Sequence, residues 1–163
     1  FSLSLELDKL IRSQGIPITG VYMPPQSTHH LMVVGVKTIY SNIAAQIAQL
    51  AFGSKLGPWF HMVIVVDETV DIYNLNEVVH AFCTRCHPKT GIHVWDGLGT
   101  PVNPYASKHE RVWSKGAKVL FDCTFPLDWD KNDRPSLVSF KTMYPKEIQE
   151  KILSRWADWG FNR

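Results

Sequence analysis

Apolar residues along this chain recur with two periods, and the two alternate. Leu3, Leu5, Leu7, Leu10 and Ile11 keep mainly helical spacing, which predicts a helix stopped at Gly15. Ile16, Ile18 and Val21 alternate up to Met23 around Pro17, which predicts an edge strand closed by Pro24-Pro25. His30 to Thr38 is dense in Val, Leu and Met and reads as a buried strand. Ser41 is placed to cap a helix with Ile43, Ala44, Ile47, Ala48 and Ala51 on one face, ending near Gly53.

Met62-Val63-Ile64-Val65-Val66 is a short unbroken apolar run, the pattern of a central strand covered on both faces. Asn74, with Glu77 three residues on, resembles a capping box for a helix carrying Val78, Val79, Phe82 and Cys83, which ends before Pro88. Residues 91 to 114 are rich in Gly, Pro and Asn and read as a long connection with a short strand at Ile92–Trp95. Lys118 to Asp122 is a further buried strand. Pro145 falls in the first turn of a last helix with Ile148, Ile152, Leu153 and Trp156 on one face. The expected fold is α/β, a mixed sheet flanked by helices with a loop-rich arm and a C-terminal helix. Residues 1–143 form the α/β part and 144–163 the terminal helix, expected to make an oligomer contact.

Composition narrows the class. With 163 residues, 45% hydrophobic and 20% charged, the chain is long enough to bury a core without disulfides. A net charge of +2 without any Lys/Arg run argues against nucleic acid. No stretch nears the ~20 apolar residues of a membrane span, so no membrane partner is expected. Three cysteines, odd in number and too few for a disulfide scaffold, fit a reducing cytoplasmic setting. Phe1 to Glu6 lacks a basic stretch before an apolar one, so it does not read as a signal peptide. The chain opens on Phe1 and not on Met, as expected of a processed chain or of part of something longer.

Candidate chemistry is sparse. Cys83-Thr84-Arg85-Cys86-His87 matches the C-x-x-C-H haem pattern, and with Cys123 it offers ligands for zinc. Cys83, however, shares a helical face with Val79 and Phe82, and zinc sites want a second closely spaced pair. Buried structural thiols are the stronger reading. Asp67-Glu68 with Asp71 follows the central strand, where open α/β sheets bind ligands, but a solvated turn feeding the Asn74 cap is the favoured reading. Lys55, in Gly53-Ser54-Lys55-Leu56-Gly57, lacks the spacing of a P-loop and reads on composition as a solvated loop residue. His29-His30 is the one adjacent histidine pair and has no evident acidic or nucleophilic partner. Trp156 and Trp159 read as packing residues, against another subunit if the helix reaches one.

Longer strings carry a resemblance. Val63-Ile64-Val65-Val66-Asp67-Glu68-Thr69-Val70-Asp71-Ile72-Tyr73, followed by Val78 to Arg85, resembles the C-terminal region of the UbiD family of decarboxylases. Thr69 in place of an acid and His80 in place of the usual Trp are departures. Pro101-Val102-Asn103-Pro104-Tyr105, Gly116-Ala117-Lys118-Val119, Asp122 and Tyr144-Pro145 through Gly160-Phe161 continue the likeness in order. It spans roughly Ile16 to Phe161.

The resemblance implies a prenylated-FMN-dependent carboxy-lyase that removes carbon dioxide from an aromatic or α,β-unsaturated acid. It puts Lys55 on the flavin phosphate. It makes the backbone oxygen of Arg85 and the carboxylate of Asp122 ligands of a potassium ion beside the cofactor. The Glu-Arg-Glu proton-transfer set and the Asn-His-Glu manganese set of the family have no counterpart here, so no catalytic residue is assigned. The chain thus resembles the C-terminal third of such an enzyme, inert by itself, with a flavin-binding region missing on its N-terminal side and a second copy of itself as partner. The stretch from Cys86-His87-Pro88 to Lys118 is most like phenolic-acid members, pointing to a hydroxylated aromatic acid. The alternatives are a pure oligomerisation module and a small haem or zinc protein.

Overall fold

The computed structural model describes residues 2–99, 102–130, 132–135 and 138–160, with only the backbone of Lys141. Pro101 and Phe161, quoted in the resemblance, lie outside the described residues. In chain order the elements are α1 (Ser2–Ser13), β1 (Ile18–Tyr22), β2 (Leu31–Val36), α2 (Ile43–Phe52), β3 (Met62–Asp67), α3 (Leu75–Arg85), β4 (Ile92–Leu98), α4 (Lys108–Val112), β5 (Lys115–Cys123), α5 (Phe140–Met143) and α6 (Lys146–Ser154). The chain divides into two compact units, Phe1–Asp128 and Trp129–Arg163.

The first unit is built on a five-stranded mixed sheet of order β1-β2-β3-β5-β4. β2, β3 and β5 run parallel, while β1 and β4 pair antiparallel at the two edges. The apolar run of β3 is central for the reason its sequence suggests: both faces are covered. Val63 and Val65 pack with Met32, Val34, Leu120, the α1 residues Leu7 and Ile11, and the apolar face of α2. Val33, Ile64 and Val66 point the other way, toward Val70, Ile72, Val78 and Ala81. Each fully buried Ile or Leu in these layers contributes about 1.5–3 kcal/mol. Together they make the sheet a rigid platform for the loops at its two ends.

Local departures from expectation have local causes. The α2 cap is Asn42, not Ser41; it adopts the left-handed region at φ 65°, which Asn tolerates. Asn74 does cap α3, but its side chain accepts from Asn76 N, and Glu77 reaches back to Asp71 N and to the Asn74 amide. β4 runs to Leu98 and β5 begins at Lys115, so the two form a hairpin inside what reads as a long connection. Gly97, Gly99 and Gly116 allow the close approach: a Cβ on Gly116 would meet the Gly99 Cα at 2.6 Å. Pairing with β5 supplies the strand order that Gly-rich sequence conceals.

In the second unit, Ser139 and Thr142 cap α5 reciprocally. Pro145 immediately precedes α6, one position before the first turn that sequence suggests. On α6, Ile152 is half-buried and Ile148 and Leu153 are exposed.

Candidate functional site

Lys55 stands on the loop between α2 and β3, its side chain 82% exposed and 3.2 Å from the Glu6 carboxylate. The loop beneath it is firmly tied. Ser54 Oγ donates to Ala51 O at 2.7 Å and accepts from Leu56 N at 3.2 Å, and Gly57 N donates to Ser54 O at 3.0 Å. From the sheet side, the Lys118 ammonium donates to Gly57 O at 2.7 Å and to Phe60 O at 2.6 Å. Lys118 is only 2% exposed. Burial pulls it down to about 8. The two carbonyls favour the charged form and oppose that shift.

Next to this loop a cavity of about 530 Å³ is lined by residues that include His61, Asn103, Tyr105, Lys115 and Lys118. Buried Asn103 sends its amide nitrogen to the Tyr105 hydroxyl at 2.8 Å and lies 3.3 Å from His61 Nδ1. An amide donor there makes His61 Nδ1 the acceptor and leaves the imidazole proton on Nε2. Burial first, then His30 and Lys118, lower the His61 pKa, so the ring is neutral. Such a set can orient a polar group, but among the described residues it pairs no nucleophile with a base.

At the other end of β3, Asp67 gathers three elements. Its Oδ1 accepts from Thr38 Oγ1 at 3.2 Å, and its Oδ2 accepts from Phe125 N at 3.0 Å and from Arg85 Nη1 at 3.5 Å. Arg85 and Asp67 side chains are 10% and 14% exposed, and the guanidinium lies 4.7 Å from the Phe125 ring centroid. Asp67 is therefore not part of a solvated turn; Glu68 and Asp71 are exposed. One strand over, Asp122 pairs with Val65 in register, and its Oδ1 accepts from Thr124 N and Thr124 Oγ1 at 3.0 and 2.7 Å. Arg85 closes α3, so its carbonyl belongs to the last four of the helix, which have no partner within it and carry the negative end of the dipole. An oxygen-seeking cation suits that carbonyl and the second oxygen of Asp122.

The fold thus brings Arg85 and Asp122 to one end of the parallel strands and sets Lys55 at the other. β3 itself is about 17 Å long over its six residues, and Asp122 stands beside Val65, short of its far end. The C-x-x-C-H motif is absorbed locally: His87 Nδ1 accepts from Lys89 N and Thr90 N, and Cys86 Sγ donates to Gly91 O. Cys123 is buried and Cys86 half-buried, but Cys83 is exposed, as is Val79, because the buried face of α3 runs through Val78 and Ala81. Desolvation raises both inner thiols, which keeps them protonated and unreactive. No group of three His, Cys, Asp or Glu side chains among the described residues could hold a metal ion. No helix among them is long and apolar enough to cross a membrane.

Lys118 and Asp67 are the residues that sequence reading undervalued. Lys118 shares strand parity with buried Leu120, a signal that was legible. Asp67 bonds residues 29 and 58 positions away, which no local pattern encodes.

The five-stranded mixed sheet with helices on both faces defines an α/β domain with a polar cluster at each end of its parallel strands. Residues 1–123 match the family profile described as the 3-octaprenyl-4-hydroxybenzoate carboxy-lyase C-terminal domain. The chain belongs to the UbiD family through that domain. It is 24% identical to pyrrole-2-carboxylic acid decarboxylase of Pseudomonas aeruginosa and 25% identical to ferulic acid decarboxylase 1 of Saccharomyces cerevisiae. Each alignment covers 98% of this chain and 34% of the relative. The vanillic acid decarboxylase of Sedimentibacter hydroxybenzoicus, in closed form, superposes with a TM-score of 0.75 at 26% identity, over 93% of this chain and 31% of that one. The UbiD-class enzyme HmfF from Pelotomaculum thermopropionicum, in complex with FMN, has the same fold with a TM-score of 0.73 at 21% identity, over 86% and 31%. The chain therefore spans about a third of the length of these relatives.

Proposed function

We propose that the chain is the C-terminal part of a UbiD-type carboxy-lyase that decarboxylates an aromatic, hydroxylated carboxylic acid. The relatives named for ferulic and vanillic acid favour that substrate class. Prenylated FMN, when bound, supplies the electron sink for loss of carbon dioxide. This chain's part is to hold the cofactor. Lys55 grips the flavin phosphate as a compact point charge. At the far end, the Arg85 carbonyl and the Asp122 carboxylate wall a potassium site. Asp67 fixes the Arg85 side chain and Thr124 orients Asp122. The proton-transfer set and the manganese ligands belong to a region outside this chain, so the 163 residues alone are inactive; the three unpaired thiols support a reducing, cytoplasmic setting. Exposed Ile148, Leu153 and Trp159 in the second unit supply an apolar contact for a second copy.

The observation that carries this reading is an ammonium held in the open on a loop tied from both sides. Lys55→Ala in the complete polypeptide should lower the flavin retained through purification, read from the visible spectrum. Unchanged flavin content would favour the pure oligomerisation module. A turnover assay on the 163-residue chain with added cofactor should show no decarboxylation; measurable carbon dioxide release would refute its dependence on the missing region.

A further inference from the structure

We infer that Lys118 is a positioning residue for the phosphate grip, acting through the carbonyls of Gly57 and Phe60 to fix the loop that displays Lys55. The inference rests on the reading of Lys55 given above. Lys118 lies on the face of β5 that also carries Leu120, and it is as deeply buried as the aliphatic core. Its ammonium sits 5.7 and 6.0 Å from the ring centroids of Phe52 and Phe60. Among the described residues its charge makes no ion pair, and the two carbonyls are its acceptors. Burying an ammonium is costly, and a methionine of similar volume would fill the same space without that cost. What only the ammonium provides is a pair of strong donors converging on residues 57 and 60, tying to β5 a segment about 60 positions away in sequence.

The tie falls where Lys55 needs it. Upstream, Ser54 is anchored to the end of α2; downstream, Gly57 is anchored to β5, and Lys55 is held between them. A Cβ on Gly57 would overlap the Phe52 carbonyl, so the loop has no slack on that side either. A lysine on a fixed backbone gives up less freedom when it meets an anion, which is the sense in which Lys118 prepares Lys55. Glu6 is the exposed competitor for Lys55, and a solvated pair of that kind yields readily to a phosphate.

The test is equilibrium binding of FMN and of riboflavin, which has no phosphate, to the complete polypeptide by flavin fluorescence. Wild type, Lys55→Ala, Lys118→Met and the double variant are compared. Lys55→Ala and Lys118→Met should each weaken FMN binding about tenfold, as expected for one charge-assisted contact, and leave riboflavin within about twofold. The double variant should be no weaker than Lys55→Ala, because Lys118 acts only through Lys55. The inference is overturned if Lys118→Met keeps wild-type FMN affinity, if it weakens riboflavin as much as FMN, or if the two losses add. If Lys55→Ala itself leaves FMN affinity unchanged, the Lys55 reading fails and this inference with it. If Lys118→Met does not fold, Lys118→Arg replaces it. That variant retains the charge but not the single donor atom on which both carbonyls converge. The same selective loss of FMN is expected, and full FMN affinity would overturn the inference.

Discussion

Asp67→Asn puts the far end of the sheet under test with a change of almost no volume. The amide keeps an oxygen for Thr38 Oγ1 but turns an NH₂ toward Phe125 N and Arg85 Nη1, two donors that thereby lose the carboxylate oxygen they share. Two penalties follow. A half-buried backbone N–H loses its acceptor, worth about 1–3 kcal/mol. The Arg85 guanidinium loses its counter-charge, which in a buried pair costs about 3–5 kcal/mol. The second figure must be scaled down here. The ion pair is long at 3.5 Å, both partners keep some solvent, and the Phe125 ring at 4.7 Å still faces the cation. A net loss of about 3 kcal/mol results, and for a chain of this length that lowers Tm by about 6–12 °C. Thermal unfolding followed by far-UV circular dichroism at pH 7 measures it. Pairing Asp67→Asn with Arg85→Gln should recover about 1 kcal/mol of the summed single losses, since the second change removes the stranded charge. A Tm within about 2 °C of wild type for Asp67→Asn would show that the three contacts do not hold the strand ends together.

The buried Lys118 ammonium makes stability depend on alkaline pH with a definite sign. Its folded pKa of about 8 lies below the ordinary 10.5, so the unfolded chain binds more protons between those values and stability rises with pH across that window. The rise is at most about 3 kcal/mol at 1.36 kcal/mol per pH unit, and less to the extent that the two carbonyls stabilise the ammonium. Urea unfolding at pH 7.5 and pH 10 should show it in the wild type and show it abolished in Lys118→Met; equal slopes in both proteins would refute it. Gly57→Ala forces a Cβ into the Phe52 carbonyl and should cost about 2–4 kcal/mol, a value taken from overpacked and strained sites. The same substitution displaces the loop beneath Lys55, so FMN binding should fall with it. A fully stable Gly57→Ala would mean the loop has more room than its contacts indicate.

Periodicity and composition were enough to reveal the alternation of helices and strands, the central place of Met62–Asp67 and a mixed sheet. These follow from short-range rules: an apolar run of strand length must be covered on both faces, and Ile43, Ile47 and Ala51 at helical spacing must face it. The strings around Val63–Arg85 carried the family for the same reason, being continuous in sequence. Tertiary structure decided the rest. Ser41 yields to Asn42 because the left-handed backbone there suits Asn, and a glycine-rich stretch becomes the β4–β5 hairpin because pairing overrides weak propensity. The same holds at the sites. Lys55 and Asp122 are visible as residues, but only strand pairing sets Asp122 beside Val65, away from the loop before β3 that carries Lys55. The bonds that give Lys118 and Asp67 their roles join segments up to about 60 residues apart. Contacts of that range arise from the packing of the sheet, and no window along the chain contains both partners.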